Sequence, residues 1–265
     1  MNLYEKQMLD ILKRGHAEYG FVAVKAEFEA EGTRIDELLR LLEVARRADL
    51  KIGLKIGGCE AIRDLIESRQ LGVDYIIAPM VETPYALSKY VAGKDKYYPK
   101  DEQAAMSFLF NLETRATFDH LDALGAIAEA GNVGFVFGRV DFAGSMGRDR
   151  DFVNSDEMMD YVAKVAEAAR ARGLELVVGG GVSPASIEAL RRIRQIRLDR
   201  FETRKVIFDA AILETERAGA AMELAIEFEL LWLKNKRDYY SLIAGEDATR
   251  IAMMEERQKA SVKAA

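Results

Sequence analysis

The chain has 265 residues, is 49% hydrophobic and 31% charged, and carries a net charge of −6 with a pI near 5.3. That apolar share suffices for a large core, while the acidic balance argues against a nucleic-acid binder, which usually shows a basic stripe; the one basic run, Arg191, Arg192, Arg194, Arg197 and Arg200, reads as a solvated helix and loop. A single cysteine, Cys59, excludes an intrachain disulfide and fits a reducing, cytoplasmic setting.

Met1 to Gly15 reads as an amphipathic helix with Glu5, Asp10, Lys13 and Arg14, without the apolar core of a signal peptide. Short apolar runs then alternate with helical patterns. The runs are Phe21–Phe28, Ile52–Ile56, Val73–Met80, Met106–Leu112, Val133–Val140, Leu174–Val178 and roughly Leu198–Val206. Between them lie segments such as Ile35–Ala48, with Leu38, Leu39, Leu42 and Ala45 on one face, and Met158–Ala171, with Val162, Val165, Ala166 and Ala169. This alternation predicts βαβ units and a parallel sheet, and runs such as "DYIIAPM" and "VGFVFG" suit strands buried on both faces.

The expected architecture is an α/β fold, a (β/α)8 TIM-like barrel over residues 1–208 with a C-terminal helical extension over 209–265. Only seven strands are legible, and a closed barrel takes eight. The eighth is expected as a short strand near the N-terminus, or the first helix covers that part of the barrel. A doubly wound sheet is the alternative, but no Gly-x-Gly-x-x-Gly follows the first strand. Phe208 to Lys236 predicts one long helix, followed by one or two more. The apolar stretch Met222 to Leu233 is interrupted by Glu223, Glu227 and Glu229, which excludes a membrane span there. Ile212, Leu213, Leu224, Ile226, Leu230, Leu231 and Trp232 offer more apolar surface than a single closing helix needs, so these helices pack on the barrel or on a neighbouring subunit.

In such a barrel the chemistry stands at the C-terminal strand ends. Those ends carry Lys25, Glu27 and Glu29; Lys55, Gly57, Gly58 and Glu60; Glu82; Asn111, Glu113 and Arg115; Arg139, Asp141 and Ser145; Gly179–Gly181 and Ser183; and Glu202, Arg204 and Lys205. Glu113 and Asp141, on adjacent strand ends, are the candidate ligands for a hard dication, Mg²⁺ or Mn²⁺. The glycine runs read either as phosphate cradles or as tight turns.

"APMVETPYAL", "NLETRATFDHL" and "GFVFGRVDFAGSMG" resemble successive strand–loop signatures of the 4-hydroxy-2-oxoheptanedioate aldolase and citrate lyase β-subunit (HpcH/HpaI) family, in order and spacing over roughly Gly72 to Gly147. The resemblance implies a phosphoenolpyruvate/pyruvate-type barrel, with Glu113 and Asp141 as metal ligands and the backbone around Gly138, Val140 and Asp141 meeting a substrate carboxylate. It implies a carbon–carbon lyase working through an enolate of pyruvate or a related 2-oxo acid. It also implies a homo-oligomer, a trimer or hexamer. The chain departs from the pattern in three places. Lys55 stands where aldolases of the family place an arginine, Arg139 replaces a small residue, and no histidine occurs over Lys25–Glu31, where the family's general base lies. Proton transfer then falls to Glu27, Glu29, Lys25 or a bound water, and Arg139, Arg204 and Lys205 are candidate substrate-binding cations. The alternatives are a citrate-lyase-like acyl-CoA lyase, a Schiff-base aldolase using Lys25, Lys55 or Lys205, and a non-catalytic barrel that binds a metabolite. No nucleic-acid or membrane partner is expected.

Overall fold

The structure, a computed structural model, describes residues 1–264. In chain order its elements are α1 (Leu3–Glu18), β1 (Phe21–Glu27), α2 (Ile35–Arg46), β2 (Lys51–Lys55), α3 (Ile62–Leu71), β3 (Tyr75–Ala78), α4 (Pro84–Tyr97), α5 (Lys100–Ala104) and β4 (Ser107–Leu112). Then come α6 (Arg115–Asp119), α7 (Leu121–Gly131), β5 (Gly134–Gly138), α8 (Arg139–Ser145), α9 (Asp156–Arg172), β6 (Leu176–Gly179), α10 (Ile187–Arg194), β7 (Arg200–Glu202), β8 (Val206–Asp209) and α11 (Ala218–Ala264). The eight strands close a barrel in sequence order, as expected of a TIM-like α/β fold.

The closing strand is not where the sequence placed it. No strand precedes β1, and the run Leu198–Val206 feeds two strands instead of one. β7 turns back through Arg204 and Lys205 into β8, which pairs antiparallel with β7 (Phe201 opposite Phe208) and antiparallel with β1 (Val24 opposite Val206). The turn is held by Thr203, whose amide donates to the Val206 carbonyl over 3.0 Å. The turn carries no sequence signal, because Arg-Lys lacks the Asn-Gly or Gly-X chemistry that marks a two-residue hairpin. Phe208 seals the closure. It stacks on Phe201, with ring centroids 4.7 Å apart, and meets Phe21 edge-on at 5.0 Å.

Alternate side chains of each strand face the barrel axis. Ala23, Tyr75 and Ile207 form one buried group there, and Ile77, Leu109, Val136 and Val177 another. One two-residue step further up the strands, the interior turns charged and polar. Lys25 follows Ala23, Asn111 follows Leu109, and Gly138 and Gly179 follow Val136 and Val177. The lower barrel is thus a packed plug and the upper barrel a polar mouth.

Because β8 runs downward, the chain leaves the barrel at its lower end, and α11 climbs beside α1. Arg217 meets the Glu18 carbonyl at the bottom, and Asn235 meets Asn2 at the top. The expectation of two or three C-terminal helices is corrected to one continuous helix of 47 residues, roughly 70 Å long. No proline follows Pro184, so nothing removes a backbone donor from it. Met222, Phe228 and Trp232 are buried, whereas Leu230, Leu233, Leu242, Ile251 and Met254 are exposed. No helix among the described residues is long and apolar enough to cross a membrane. The arginine cluster is absorbed by local pairs: Arg191 with Glu188, Arg192 with Asp156, Arg194 with Glu214, Arg197 with Asp199 and Arg200 with Glu175.

Phe208→Ala should cost about 3–5 kcal/mol, because it empties the ring packed between Phe21 of the first strand and Phe201 of β7. Urea denaturation measures this. A loss below about 1 kcal/mol would mean that the closure does not depend on the aromatic seal.

Candidate functional site

The mouth is organised by the loop that leaves β1. Its sequence, Glu27-Phe-Glu29-Ala-Glu31, places a carboxylate at every second position, and each meets a different lysine. Glu27 lies 3.2 Å from Lys25, Glu29 lies 3.3 Å from Lys55, and Glu31 accepts a short hydrogen bond from Lys205. Backbone bonds hold the loop in this register. The Phe28 amide donates to the Lys55 carbonyl and the Thr33 amide to the Glu27 carbonyl.

Lys25 is buried inside the barrel, and a second carboxylate, Glu202 of β7, accepts from it at 2.5 Å. Burial disfavours the ammonium, but Glu202 and Glu27 outweigh that and hold Lys25 above the usual lysine range. Glu27 also pays for burial, yet the charges of Lys25 and then Lys55 keep it below the ordinary carboxylate range.

Lys55, on β2, stands 3.6 Å from Glu113 as well as against Glu29. Burial works against its charge, and Glu113, Glu29 and Glu27 more than restore it, so it is raised. Glu113 follows β4 and is buried. One oxygen accepts from the Met80 amide at 3.0 Å, and the other accepts from the Asn111 side chain. Desolvation pushes Glu113 up, and the charge of Asp141 adds to the shift against the pull of Lys55 and the two hydrogen bonds. Asp141 sits in the first turn of α8 and is exposed. The structure therefore brings Lys55, Glu113 and Asp141 into electrostatic reach of one another, with Glu29 at the open side.

The strands below leave room for these groups. Gly138 and Gly179 are paired in register at the ends of β5 and β6. A Cβ at Gly138 would come within 2.9 Å of the Glu113 side chain, and one at Gly179 within 3.0 Å of Glu202. Gly180, at φ +76°, packs closely against the start of α8: a Cβ there would stand 2.7 and 2.6 Å from the amide nitrogens of Arg139 and Val140.

Arg139 departs from the expected anion-binding role. Its side chain is wholly buried, and its guanidinium donates to the Gly179 carbonyl at 3.1 Å and to the Asn154 side chain at 3.0 Å. Burial lowers it to about 10. Arg204 is exposed and shares Glu31 with Lys205. Lys205 is buried, lies 5.7 Å from the Trp232 ring, and is lowered by burial against the pull of Glu31. His16 contacts the Phe21 carbonyl, and His120 contacts the Ala116 carbonyl of its own helix. The Gly57 amide donates to Asp64 at 2.6 Å, which occupies that glycine turn. The strand-end pattern set Glu202 at the mouth without a role and did not name Glu31 there. The alternating glutamates were a usable signal for Glu31. Glu202 had none, since its partner is 177 residues away.

Lys25→Met should cost about 3–5 kcal/mol near neutral pH, because it leaves two carboxylates buried without their ammonium. The gap to the wild type should narrow on acidification from about pH 7 toward 4. In the wild type, Glu27 is depressed, so its stabilisation holds above its unfolded value and is lost as pH falls through the folded one. In the variant, Glu27 loses its strongest opposing charge and burial lifts it, and a lifted carboxylate stabilises at low pH and stops doing so as pH rises. Urea melts at the two pH values decide this, and a gap that widens in acid would refute the buried pairing.

The family model of HpcH/HpaI aldolase/citrate lyase matches residues 23–186, which run from within β1 to the residue before α10. Solved structures share the fold. An HpcH/HpaI aldolase from Desulfitobacterium hafniense DCB-2 is 17% identical, with a TM-score of 0.57 over 82% of this chain and 87% of that one. An HpcH/HpaI aldolase/citrate lyase family protein from Burkholderia cenocepacia J2315 is 14% identical, with a TM-score of 0.59 over 77% and 85%. A variant of the citrate synthase SbnG is 16% identical, with a TM-score of 0.56 over 86% and 90%. No curated protein matches the sequence. With more than half its length matched and its barrel shared, this chain belongs to the HpcH/HpaI aldolase/citrate lyase family of carbon–carbon lyases.

Proposed function

We propose that this lyase makes or breaks the bond next to the carbonyl of pyruvate or a related 2-oxo acid, with the developing charge on the enolate oxygen, and that Glu113 and Asp141 hold Mg²⁺ or Mn²⁺. One observation carries the reading. A buried carboxylate, raised by burial and further by a second carboxylate, stands beside a fixed lysine at the barrel mouth. The donor set fits a hard dication, which would relieve that repulsion, and the chain supplies only oxygen donors there. Among the described residues no group of three or more His, Cys, Asp or Glu side chains gathers around one point. Substrate oxygens and water would therefore complete the shell. When bound, the ion would act as a Lewis acid toward the substrate's keto and carboxylate oxygens.

The chain's own groups divide the remaining work. Lys55 presents a point charge to the keto oxygen, where charge grows as the bond breaks. The backbone around Gly138, Val140 and Asp141, at the start of α8, suits the substrate carboxylate. Glu29 is the better general base. Its side chain is 26% exposed, whereas Glu27 is locked onto Lys25. In the cleavage direction Glu29 takes the hydroxyl proton, the departing fragment becomes a carbonyl, and the bond's electron pair passes into the enolate, which then takes a proton at C3. Arg204 and Lys205 would receive a substrate anion only after releasing Glu31. The Schiff-base alternative is less well supported. Lys25 and Lys55 are held protonated, and Lys205, the lysine that burial lowers, is engaged with Glu31.

Proton exchange at C3 of pyruvate in deuterated water, followed by NMR, tests the reading without a second substrate. Exchange should require Mg²⁺ or Mn²⁺, and Glu113→Gln or Asp141→Asn should each lower it by about 10²–10³-fold. Lys55→Ala should fall similarly and Lys55→Arg should retain part of the rate. Metal-dependent exchange at full rate in both carboxylate variants would sink the assignment, and a borohydride-trapped imine would replace it with the Schiff-base route.

We also propose that the exposed apolar residues of α11 are covered by another copy of the chain. A monomer would leave Leu230, Leu233, Leu242, Ile251 and Met254 to water on one helix. Light scattering should give a trimer or hexamer for the full chain and a smaller particle for a chain ending after Lys236. A monomeric full chain, or an unchanged mass after truncation, counts against it.

A further inference from the structure

We infer that the mouth contains a subsite for an uncharged, hydroxyl-bearing second substrate, with Glu202 and Asn111 receiving its hydroxyls. The inference deepens the lyase reading above, and the second substrate is the carbonyl compound released or consumed with the 2-oxo acid.

Two atoms point to it. Glu202 Oε2 and Asn111 Oδ1 are buried and lack any hydrogen-bond partner. Both residues are more than nine-tenths buried. Both face the barrel axis. Asn111 follows the interior Leu109 by two residues, and Glu202 follows Arg200, whose guanidinium lies 4.2 Å above the interior Tyr75 ring. Buried acceptors without donors are rare in folded proteins and call for an explanation. Each is acceptor-only at that atom, so what completes it must bring a hydrogen. The partnered halves are fixed: Glu202 Oε1 takes Lys25, and the Asn111 amide donates to Glu113. The free atoms therefore cannot turn to one another without breaking those bonds. Gly179 lies directly against the Glu202 side chain, where a Cβ would come within 3.0 Å of it.

The charge balance excludes the other common kind of second substrate. Every lysine at the mouth already carries a carboxylate: Lys25 has Glu27 and Glu202, Lys55 has Glu29 and Glu113, and Lys205 has Glu31. Arg204 shares Glu31, and the buried Arg139 is bound by neutral acceptors. With Asp141, the six carboxylates outnumber the five cations by one, and one dication together with one 2-oxo acid brings the mouth to neutral. No positive charge is left for a carboxylate or phosphate on the second substrate, and a like-charged one would be repelled.

Binding of two unreactive four-carbon probes, erythritol and succinate, tests the subsite directly by saturation-transfer NMR on the full-length protein with Mg²⁺, with and without pyruvate. Erythritol should bind, and succinate at least about tenfold more weakly. Glu202→Gln, which keeps the volume and turns an acceptor into a donor, should weaken erythritol by a similar factor while circular dichroism stays that of the wild type. Succinate binding better than erythritol, or no erythritol binding by the wild type, overturns the subsite. A kinetic comparison separates it from the lyase reading. With pyruvate, glyceraldehyde should exceed propanal and succinic semialdehyde in kcat/KM. Turnover that favours either of the latter removes the subsite and leaves the lyase. Erythritol binding that depends on Glu202 without pyruvate exchange keeps the subsite and removes the lyase.

Discussion

Three lysines are buried at one end of this barrel, and each is tolerable there only because a carboxylate lies against it. An isolated ammonium taken out of water would shed its proton or unfold the site. The chain meets that constraint with a loop whose alternate residues are glutamates, and with Glu113 and Glu202 from opposite sides of the barrel. The strand ends at Glu27 and the chain then bends and turns through Glu31, so a three-glutamate stretch reaches three strand ends at once. The rest of the mouth is shaped around these pairs. Gly138 and Gly179 lack side chains where the carboxylates lie, and Asn111 and the Met80 amide orient Glu113.

The same pairs separate two kinds of carboxylate. Glu27 and Glu31 are committed to single lysines and serve as counter-ions. Glu113 is different, because it feels Asp141 as well as Lys55 and is raised instead of depressed. Divergent environments for like groups are the usual mark of divided roles in catalysis. Arg139 shows the converse case. A cation that in sequence looked free to bind an anion is a tie between the β5 end, the β6 end and the Asn154 turn, and by holding that junction it fixes the turn from which Asp141 projects.

The reversed β8 connects fold and site. A standard crossover would have returned the chain to the lower rim and sent another helix down the outside. The hairpin instead sets Lys205 beside Glu31 and brings Glu202 across to Lys25, and it launches α11 upward past the mouth. This hairpin and α11 lie outside the residues that match the family model.

Several features were legible from residue order alone because their causes are local. Apolar runs of strand length between amphipathic segments implied the parallel strands, and "NLETR" and "VDFAGSMG" located Glu113 and Asp141 at adjacent strand ends. Lys55, Glu27 and Glu29 were placed at the mouth by the same logic. The eighth strand was not legible, because a four-residue strand after an Arg-Lys turn carries no turn signal and resembles the tail of the strand before it. Nor was the burial of Arg139, whose partners at Gly179 and Asn154 come from other loops. The sequence by itself determined which residues sit at strand ends, since strand periodicity is written in neighbouring positions. Only the tertiary structure decided which charges pair, as with Lys25 and Glu202 at opposite ends of the chain, because an ion pair depends on distance in space and barrel closure sets that distance.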